Sequence, residues 1–165
     1  MILRQWRGSD AQALADALNN KNILDKLRDG LPYPYTKADA AAYIRTMESS
    51  PLAFAIVQDD VAIGSIGLFR GGNIHFRTAE LGYYIAQPYW GRGIGTQAIR
   101  EICAYAFQST DLLRIYAEPF RSNAASRRVL EKAGFTFEGI LRQNAVKNGE
   151  ILDMALYALL RADAT

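Results

Sequence analysis

Apolar residues recur every three or four positions in several stretches of the chain, which is the spacing of one helix face. The predicted helices cover residues 10–19, 22–28, 36–48, 93–108 and 123–133. Between them lie runs rich in β-branched and aromatic residues, which are typical of strands. The predicted strands cover residues 2–6, 52–58, 61–69, 78–86, 112–118, 135–146 and 150–160.

The order of these elements, β-α-α-α-β-β-β-α-β-α-β-β, predicts an α/β fold with a mixed sheet, in one domain that covers residues 1–165. Asp59-Asp60 and Asn148-Gly149 each join two neighbouring β-rich runs and predict two hairpins. The loop at residues 30–35 carries two prolines, which forbid a regular helix there. The turn and loop signals therefore agree with the periodicity.

Composition excludes several classes of function. Nineteen basic and 17 acidic side chains leave a net charge of +2, which argues against a nucleic-acid partner. A membrane helix needs about 20 apolar residues, and the longest apolar run, residues 52–57, has six. We therefore expect no membrane partner and a cytoplasmic location. Cys103 and His75 are the only residues of their types, so we expect neither a disulfide nor a metal site. Cys103 lies on the apolar face of the longest helix, which indicates a core residue.

The glycine-rich stretch after the strand at residues 78–86 is the strongest chemical signal. Gly91, Gly93 and Gly95 stand at alternate positions and lead directly into a helix. The first N–H groups of a helix lack backbone partners and attract anions, and glycines let a phosphate approach the backbone. Thr96 stands where a dinucleotide-binding loop has its third glycine. The stretch predicts a phosphate site of another kind, and a tight turn that binds nothing is the alternative.

Together with residues 114–135, this loop resembles the GNAT superfamily of acyl-CoA-dependent N-acetyltransferases, and within it the ribosomal-protein N-acetyltransferase-like (RimJ/RimL-like) group. The resemblance extends over nearly the whole chain. It rests on residues 32–36, 79–83, 90–96, 123–126, 129–135 and 138–142. It implies a GNAT-like fold in which two central parallel strands splay apart, here those at residues 78–86 and 112–118.

The resemblance also implies acetyl-CoA as the acyl donor. The glycine loop would hold its pyrophosphate, and its pantetheine arm would lie along the end of the first splayed strand. Asn123 and Ser126 would face its thioester end, and Arg127 would either help with phosphates or lie on a solvated helix face. Carried over by position, the cofactor-binding residues are Tyr84, Ile85, Ala86, Gly91, Arg92, Gly93, Ile94, Gly95, Thr96, Asn123 and Ser126.

Two departures from the superfamily bear on the chemistry. Trp90 stands where the general phosphate motif begins with Gln or Arg, and Leu130 stands where many members carry a tyrosine that protonates the departing thiolate. Ser126 is then the nearest hydroxyl to the expected thioester, with Asn123 as a second donor. The alternative is that Ser126 only caps or packs the helix.

Glu80 is the candidate general base. It shares a strand face with Gly82 and Tyr84, and if that face is the cleft, Glu80 points to where the acceptor should enter. A structural hydrogen bond to a neighbouring loop is its alternative role. Asp153 is a second candidate for acceptor contact, and the loop at residues 33–35 either walls the acceptor pocket or packs.

The resemblance therefore implies an acetyl-CoA:amine N-acetyltransferase that acts by direct attack of a primary amine on the thioester. A protein N-terminal amine is the leading acceptor. A small amine, such as a polyamine, an amino acid or a drug, is the second candidate, and a non-catalytic acyl-CoA-binding module is the third. The sheet edge formed by the closing hairpin leaves a homodimer open.

Overall fold

The computed structural model describes residues 1–164 and contains one seven-stranded sheet with helices on both faces. The strands are β1 (Ile2–Arg4), β2 (Ala53–Gln58), β3 (Val61–Arg70), β4 (Thr78–Ile85), β5 (Arg114–Ala117), β6 (Thr136–Lys147) and β7 (Glu150–Leu160). The helices are α1 (Ala11–Leu18), α2 (Lys21–Leu24), α3 (Lys37–Met47), α4 (Ile94–Ser109) and α5 (Ala124–Lys132). The predicted order of strands and helices is confirmed.

Local signals account for most of these boundaries. Thr36 caps α3, because its side chain accepts a hydrogen bond from the Asp39 N–H. Asp59 and Asp60 both adopt positive φ, 50° and 63°, which is the backbone of the tight turn that joins β2 to β3. Gly134 follows α5 with φ of 100°, where a residue with a side chain would be strained. Capping and turn chemistry thus place the elements that the sequence predicts.

Helix α2 is shorter than the predicted helix at residues 22–28. It ends at Leu24, and the chain continues through turns and bends. The side chains of this segment reach the tip of the β6–β7 hairpin, where Lys147 Nζ lies 2.8 Å from Asp29 Oδ1 and Asn148 Nδ2 lies 3.1 Å from Asp25 Oδ1. Residues 25–29 thus follow a non-helical path and contact a distant part of the chain.

The sheet order is β1-β2-β3-β4-β5-β7-β6, and only β4 and β5 run parallel. Their register pairs Thr78 with Arg114 and ends where Glu80 faces Tyr116. Strand β4 continues to Ile85 without a partner on this side, so a cleft opens in the middle of the sheet. The predicted pair of splayed parallel strands is confirmed.

Two apolar clusters pack on the two faces of the sheet. One lies between the sheet and α4 and α5 and includes Leu81, Ile85 and Cys103, and the other lies beneath α1, α2 and α3. The Cys103 thiol is buried, as predicted, and burial raises its pKa to about 12. Because side chains alternate along a strand, Glu80 and Tyr84 lie on the α1–α3 face of β4. The side chains of Leu81 and Tyr83 lie on the α4–α5 face.

A buried ion pair fastens the first strand to the first helix. Asp10 is 5% exposed, and both of its carboxylate oxygens accept hydrogen bonds of 2.8 Å from the Arg4 guanidinium. Asp10 also accepts from the Arg7 N–H at 2.9 Å. Burial favours the neutral acid, but these hydrogen bonds outweigh it and lower the pKa of Asp10.

No helix within residues 1–164 is long and apolar enough to cross a membrane.

Candidate active site

A cavity of about 600 Å³ lies where β4 and β5 diverge. Residues from both faces of the sheet border it. The glycine loop, the first turn of α4 and one face of α5 lie on one side, and the segment that includes α2 and residues 26–28 lies on the other. The cavity therefore passes between the two splayed strands, and groups on opposite faces of the sheet can meet in it.

The glycine loop forms an open cradle at one end of the cavity. Gly91 and Gly93 have φ of 74° and 76°, a conformation that residues with side chains rarely adopt. A Cβ atom built on either glycine would meet no other atom within 4 Å, so the space beside the loop is open to a ligand. Gly93 is the N-terminal cap of α4, which begins at Ile94, and the N–H groups of this first turn lack partners within the helix. Gly95 is buried, and the backbone of α4 there comes close to Tyr83.

Trp90 ties this loop to the strand before it. Its indole Nε1 donates a hydrogen bond of 2.7 Å to the Ile85 carbonyl at the end of β4. The Lys26 ammonium lies 4.8 Å from the centre of the indole ring. Trp90, which stands where the superfamily motif has Gln or Arg, thus anchors the loop to the end of β4 and holds the Lys26 ammonium beside the loop.

Along β4, the backbone N–H and C=O groups of every second residue point towards the cleft. The Ala86 N–H donates to the Ile63 carbonyl at 2.7 Å, so Ala86 belongs to the ladder with β3, and by alternation Tyr84 does too. Tyr83 and Ile85 face the cleft instead. Of the three residues predicted to pair with pantetheine, only Ile85 presents its backbone there. The Tyr84 ring still borders the cavity, whereas Ala86 does not.

Ser126 and Asn123 lie together at the start of α5, beside the cavity. The Asn123 side-chain oxygen accepts a hydrogen bond of 3.2 Å from the Ser126 N–H, which makes Asn123 the cap of this helix. The Ser126 hydroxyl lies 3.0 Å from the hydroxyl of Tyr83. Burial raises the pKa of Tyr83, and the hydrogen bond with Ser126 opposes that shift. The two hydroxyls form a pair at the wall of the cavity.

Tyr83 is a site residue that the sequence analysis missed. Its available signal was its position on β4, one residue from Tyr84 and on the other strand face. Leu130, at the position of the superfamily's tyrosine, is 0% exposed and packs in the core. A tyrosine hydroxyl therefore borders the cavity, but it comes from the strand and not from the helix.

Glu80 lies at the last residue of the β4–β5 pairing, on the face opposite to Ser126. It forms an ion pair with Arg28, and Oε2 of Glu118 lies 3.7 Å from the same Arg28 nitrogen. Burial raises the pKa of Glu80; the Arg28 charge opposes this shift, and the Glu118 charge adds to it. Burial raises the pKa of Tyr116 on β5, and the nearby Glu80 charge adds to that shift. Glu118 and Arg28 are further site residues that sequence reasoning missed.

The basic side chains at the cavity differ in part from those expected. Arg92 borders it, as predicted, together with four basic residues that were not predicted to, namely Lys26, Arg28, Arg128 and Lys132. Arg127 turns away, because its guanidinium donates to the Tyr157 hydroxyl at 3.1 Å and to the Arg121 carbonyl at 3.0 Å. The helical spacing of Arg128 and Lys132 was the signal for these cations.

Two candidates for the acceptor side do not border the cavity, and for the loop at residues 33–35 the packing alternative holds. The loop at residues 33–35 does not border the cavity, because Tyr35 is buried under α3 and the segment around α2 forms the wall. Asp153 lies outside the cavity and is held by the Gln143 N–H at 2.8 Å and by Arg121 at 3.2 Å.

Within residues 1–164 no group of three His, Cys, Asp or Glu side chains could hold a metal ion.

Comparisons with known proteins agree with this geometry. The family model described as "Acetyltransferase (GNAT) domain" matches residues 1–136. The uncharacterized N-acetyltransferase YoaA of Bacillus subtilis (strain 168) is 32% identical over 168 residues, which cover 98% of this chain and 93% of YoaA.

Two solved structures show the same fold at low sequence identity. The ribosomal-protein alpha-N-acetyltransferase RimL, in complex with coenzyme A, superimposes with a TM-score of 0.84 at 23% identity and covers 96% of this chain and 92% of its own. The spermidine N-acetyltransferase of Vibrio cholerae, in complex with CoA and spermine, has a TM-score of 0.82 at 23% identity, with 99% and 96% covered. The chain belongs to the GNAT family and is an N-acetyltransferase whose acyl donor is acetyl-CoA.

Proposed function

We propose that this enzyme transfers the acetyl group to a primary amine, with the N-terminal amine of a protein as the leading acceptor, and that residues 1–165 act as one catalytic domain. One observation carries the proposal. A single cavity joins the open glycine cradle to Ser126 on one face of the sheet and to Glu80 on the other. A donor and an acceptor that enter from opposite faces would meet between the splayed strands.

The cradle fits the phosphates of acetyl-CoA. Open space stands beside Gly91 and Gly93, the first N–H groups of α4 follow, and basic side chains border the same cavity. The residues that would hold the phosphates lie in the loop at residues 91–96, with Lys26, Arg128 and Lys132 as counter-charges. The N–H groups of Tyr83 and Ile85 would support the pantetheine arm. When bound, acetyl-CoA supplies an acyl thioester.

Glu80 would accept the proton of the attacking amine. At pH 7 an α-amino group near pKa 7.8 needs about 1 kcal/mol to become neutral, and a lysine near 10.4 needs about 4.6 kcal/mol. A carboxylate is a weak base, so it suits the α-amino group better. Burial raises the pKa of Glu80 and so makes it a better proton acceptor than an exposed carboxylate.

Ser126 would supply a proton to the departing sulfur. Its hydroxyl is hydrogen-bonded to the Tyr83 hydroxyl. Tyr83 can therefore replace the proton that Ser126 gives up, or hold Ser126 in position. The Asn123 cap fixes the first turn of α5, and with it the place of Ser126.

Acetylation of a small polyamine is the second candidate. Glu80 and Glu118 place two carboxylates at the acceptor side, which favours a cationic acceptor. The solved spermidine N-acetyltransferase, which was bound to spermine, has the same fold.

One experiment separates these candidates. The enzyme is incubated with acetyl-CoA and one of three acceptors, and the release of free CoA thiol is measured. The acceptors are a peptide with a free N-terminus and no lysine, the same peptide with a blocked N-terminus and one lysine, and spermidine. We expect the first to react fastest. Spermidine as the best acceptor would support the second candidate, and CoA binding without turnover of any amine would support a non-catalytic acyl-CoA-binding module.

A further inference from the structure

Arg28 occupies the acceptor side of the cavity. Its terminal Nη2 atom pairs with Oε1 of Glu80 and lies 3.7 Å from Oε2 of Glu118. Glu80 comes from β4 and Glu118 follows β5, so one nitrogen joins the two splayed strands. The Glu80 and Glu118 side chains are 24% and 23% exposed, whereas that of Arg28 is 62% exposed. The carboxylates belong to the cavity wall, and the cation reaches them from outside.

The shape of this contact matches an ammonium group. Two carboxylates converge on a single nitrogen, and a primary ammonium has three N–H donors on one nitrogen. A guanidinium spreads its donors over three nitrogens and pairs best side by side with one carboxylate. Arg28 therefore uses little of its bonding capacity here. Gly82 follows Glu80 on the same strand face and carries no side chain, and a Cβ atom built there would meet only the Phe69 ring, at 3.4 Å.

The Arg28 side chain is held by polar contacts, whereas Leu27 beside it packs against the apolar cluster beneath α1, α2 and α3. Besides the Arg28 pairs, Asp25 and Asp29 contact Asn148 and Lys147 at the tip of the β6–β7 hairpin. Exposed ion pairs contribute little to stability. Arg28 can therefore leave the carboxylates at small cost without any change in the core of the protein.

We propose that Glu80 and Glu118 form the subsite for the ammonium group of the acceptor, and that Arg28 is an internal cation that holds this subsite until the acceptor displaces it. This inference rests on the proposed function, because it takes the face of Glu80 as the acceptor side. The acceptor then binds as a primary ammonium between two carboxylates, and a neutral acceptor leaves Arg28 in place.

The kinetic test compares Arg28→Gln with wild type at saturating acetyl-CoA and pH 8. The variant removes the competing charge, so the KM for the amine should fall by about two- to five-fold, the range of an exposed ion pair, with kcat unchanged. Arg28→Lys keeps the competing charge as an ammonium group, so its KM should be at or above the wild-type value. Arg45→Gln removes an equal charge from an exposed position on α3 and should change neither constant. An unchanged or higher KM in Arg28→Gln would overturn the proposal.

A binding test needs no turnover. Ethylammonium chloride is titrated into the enzyme–CoA complex, with sodium chloride as the ionic control, and the amide shifts of residues 80 and 118 are followed by NMR. We expect both amides to respond and Arg28→Gln to bind ethylammonium about two- to five-fold more tightly than wild type. Equal affinities, or no response at these amides, would refute the subsite. If the amides respond and no amine is acetylated, the proposed function fails and the subsite stands.

Discussion

Replacing Gly93 by alanine tests whether the glycine loop holds the phosphates. The φ of 76° at Gly93 would cost a residue with a Cβ atom about 1–2 kcal/mol. For a chain of this size that lowers Tm by about 2–8 °C, so the variant stays folded at 25 °C. The added methyl group would stand in the open space beside the loop, where a phosphate has to approach. Loss of one N–H bond to a charged oxygen costs about 1.5–3 kcal/mol, and CoA should bind about 10- to 150-fold more weakly.

Gly149 provides the matched control. Its φ is 78°, and a Cβ atom there also meets nothing within 4 Å, but it lies in the turn between β6 and β7 and outside the cavity. Gly149→Ala should lower Tm by a similar amount and leave CoA affinity unchanged. Calorimetric titration with CoA and thermal unfolding measure the two effects. If Gly93→Ala binds CoA within about two-fold of wild type, or if both variants lose affinity equally, the loop does not hold the phosphates.

Three further predictions concern proton transfer and stability. Only the carboxylate form of Glu80 accepts a proton, so kcat/KM of wild type should fall as pH drops through its raised pKa; Glu80→Gln should be at least about 100-fold slower and lack this limb, and a retained limb would assign it to another group. Ser126→Ala and Tyr83→Phe should each lower kcat without affecting CoA affinity, and the double variant should be no slower than the worse single one; additive losses would show that the hydroxyls act independently. Asp10→Asn should lower the free energy of unfolding in urea by about 3 kcal/mol at pH 7, because it leaves Arg4 without its charge partner. The pKa of Asp10 is lowered in the folded state, so this contribution is present above the unfolded-state pKa and is lost as pH falls through the folded value; a difference that does not shrink as pH is lowered would contradict the ion-pair explanation.

Local patterns in the sequence were enough to predict much of this protein. The apolar spacing within α4 identified its buried face, and the Asp59-Asp60 and Asn148-Gly149 turns identified two hairpins. The glycine loop could be predicted because its chemistry is also local. Positive φ, missing side chains and a helix start all lie within six residues, at 91–96.

The less accurate predictions involve contacts between distant parts of the chain. The predicted helix at residues 22–28 ends at Leu24, and Asp25 and Asp29 beyond it contact the hairpin tip, 123 and 118 residues away in sequence. The predicted backbone contacts at Tyr84 and Ala86 depend on the register of β4 against β3, which no local pattern specifies.

The sequence by itself determined the elements, their order and the glycine loop, because helix caps, turns and periodicity act over a few residues. The resemblance to the GNAT superfamily, and not a local pattern, made Ser126 a candidate. Only the tertiary structure decided which side chains meet at the cleft. Tyr83 reaches Ser126 across 43 residues of sequence, and Arg28 reaches Glu80 across 52. Both contacts exist because β4 and β5 part after three paired residues, and that divergence is a property of the whole sheet.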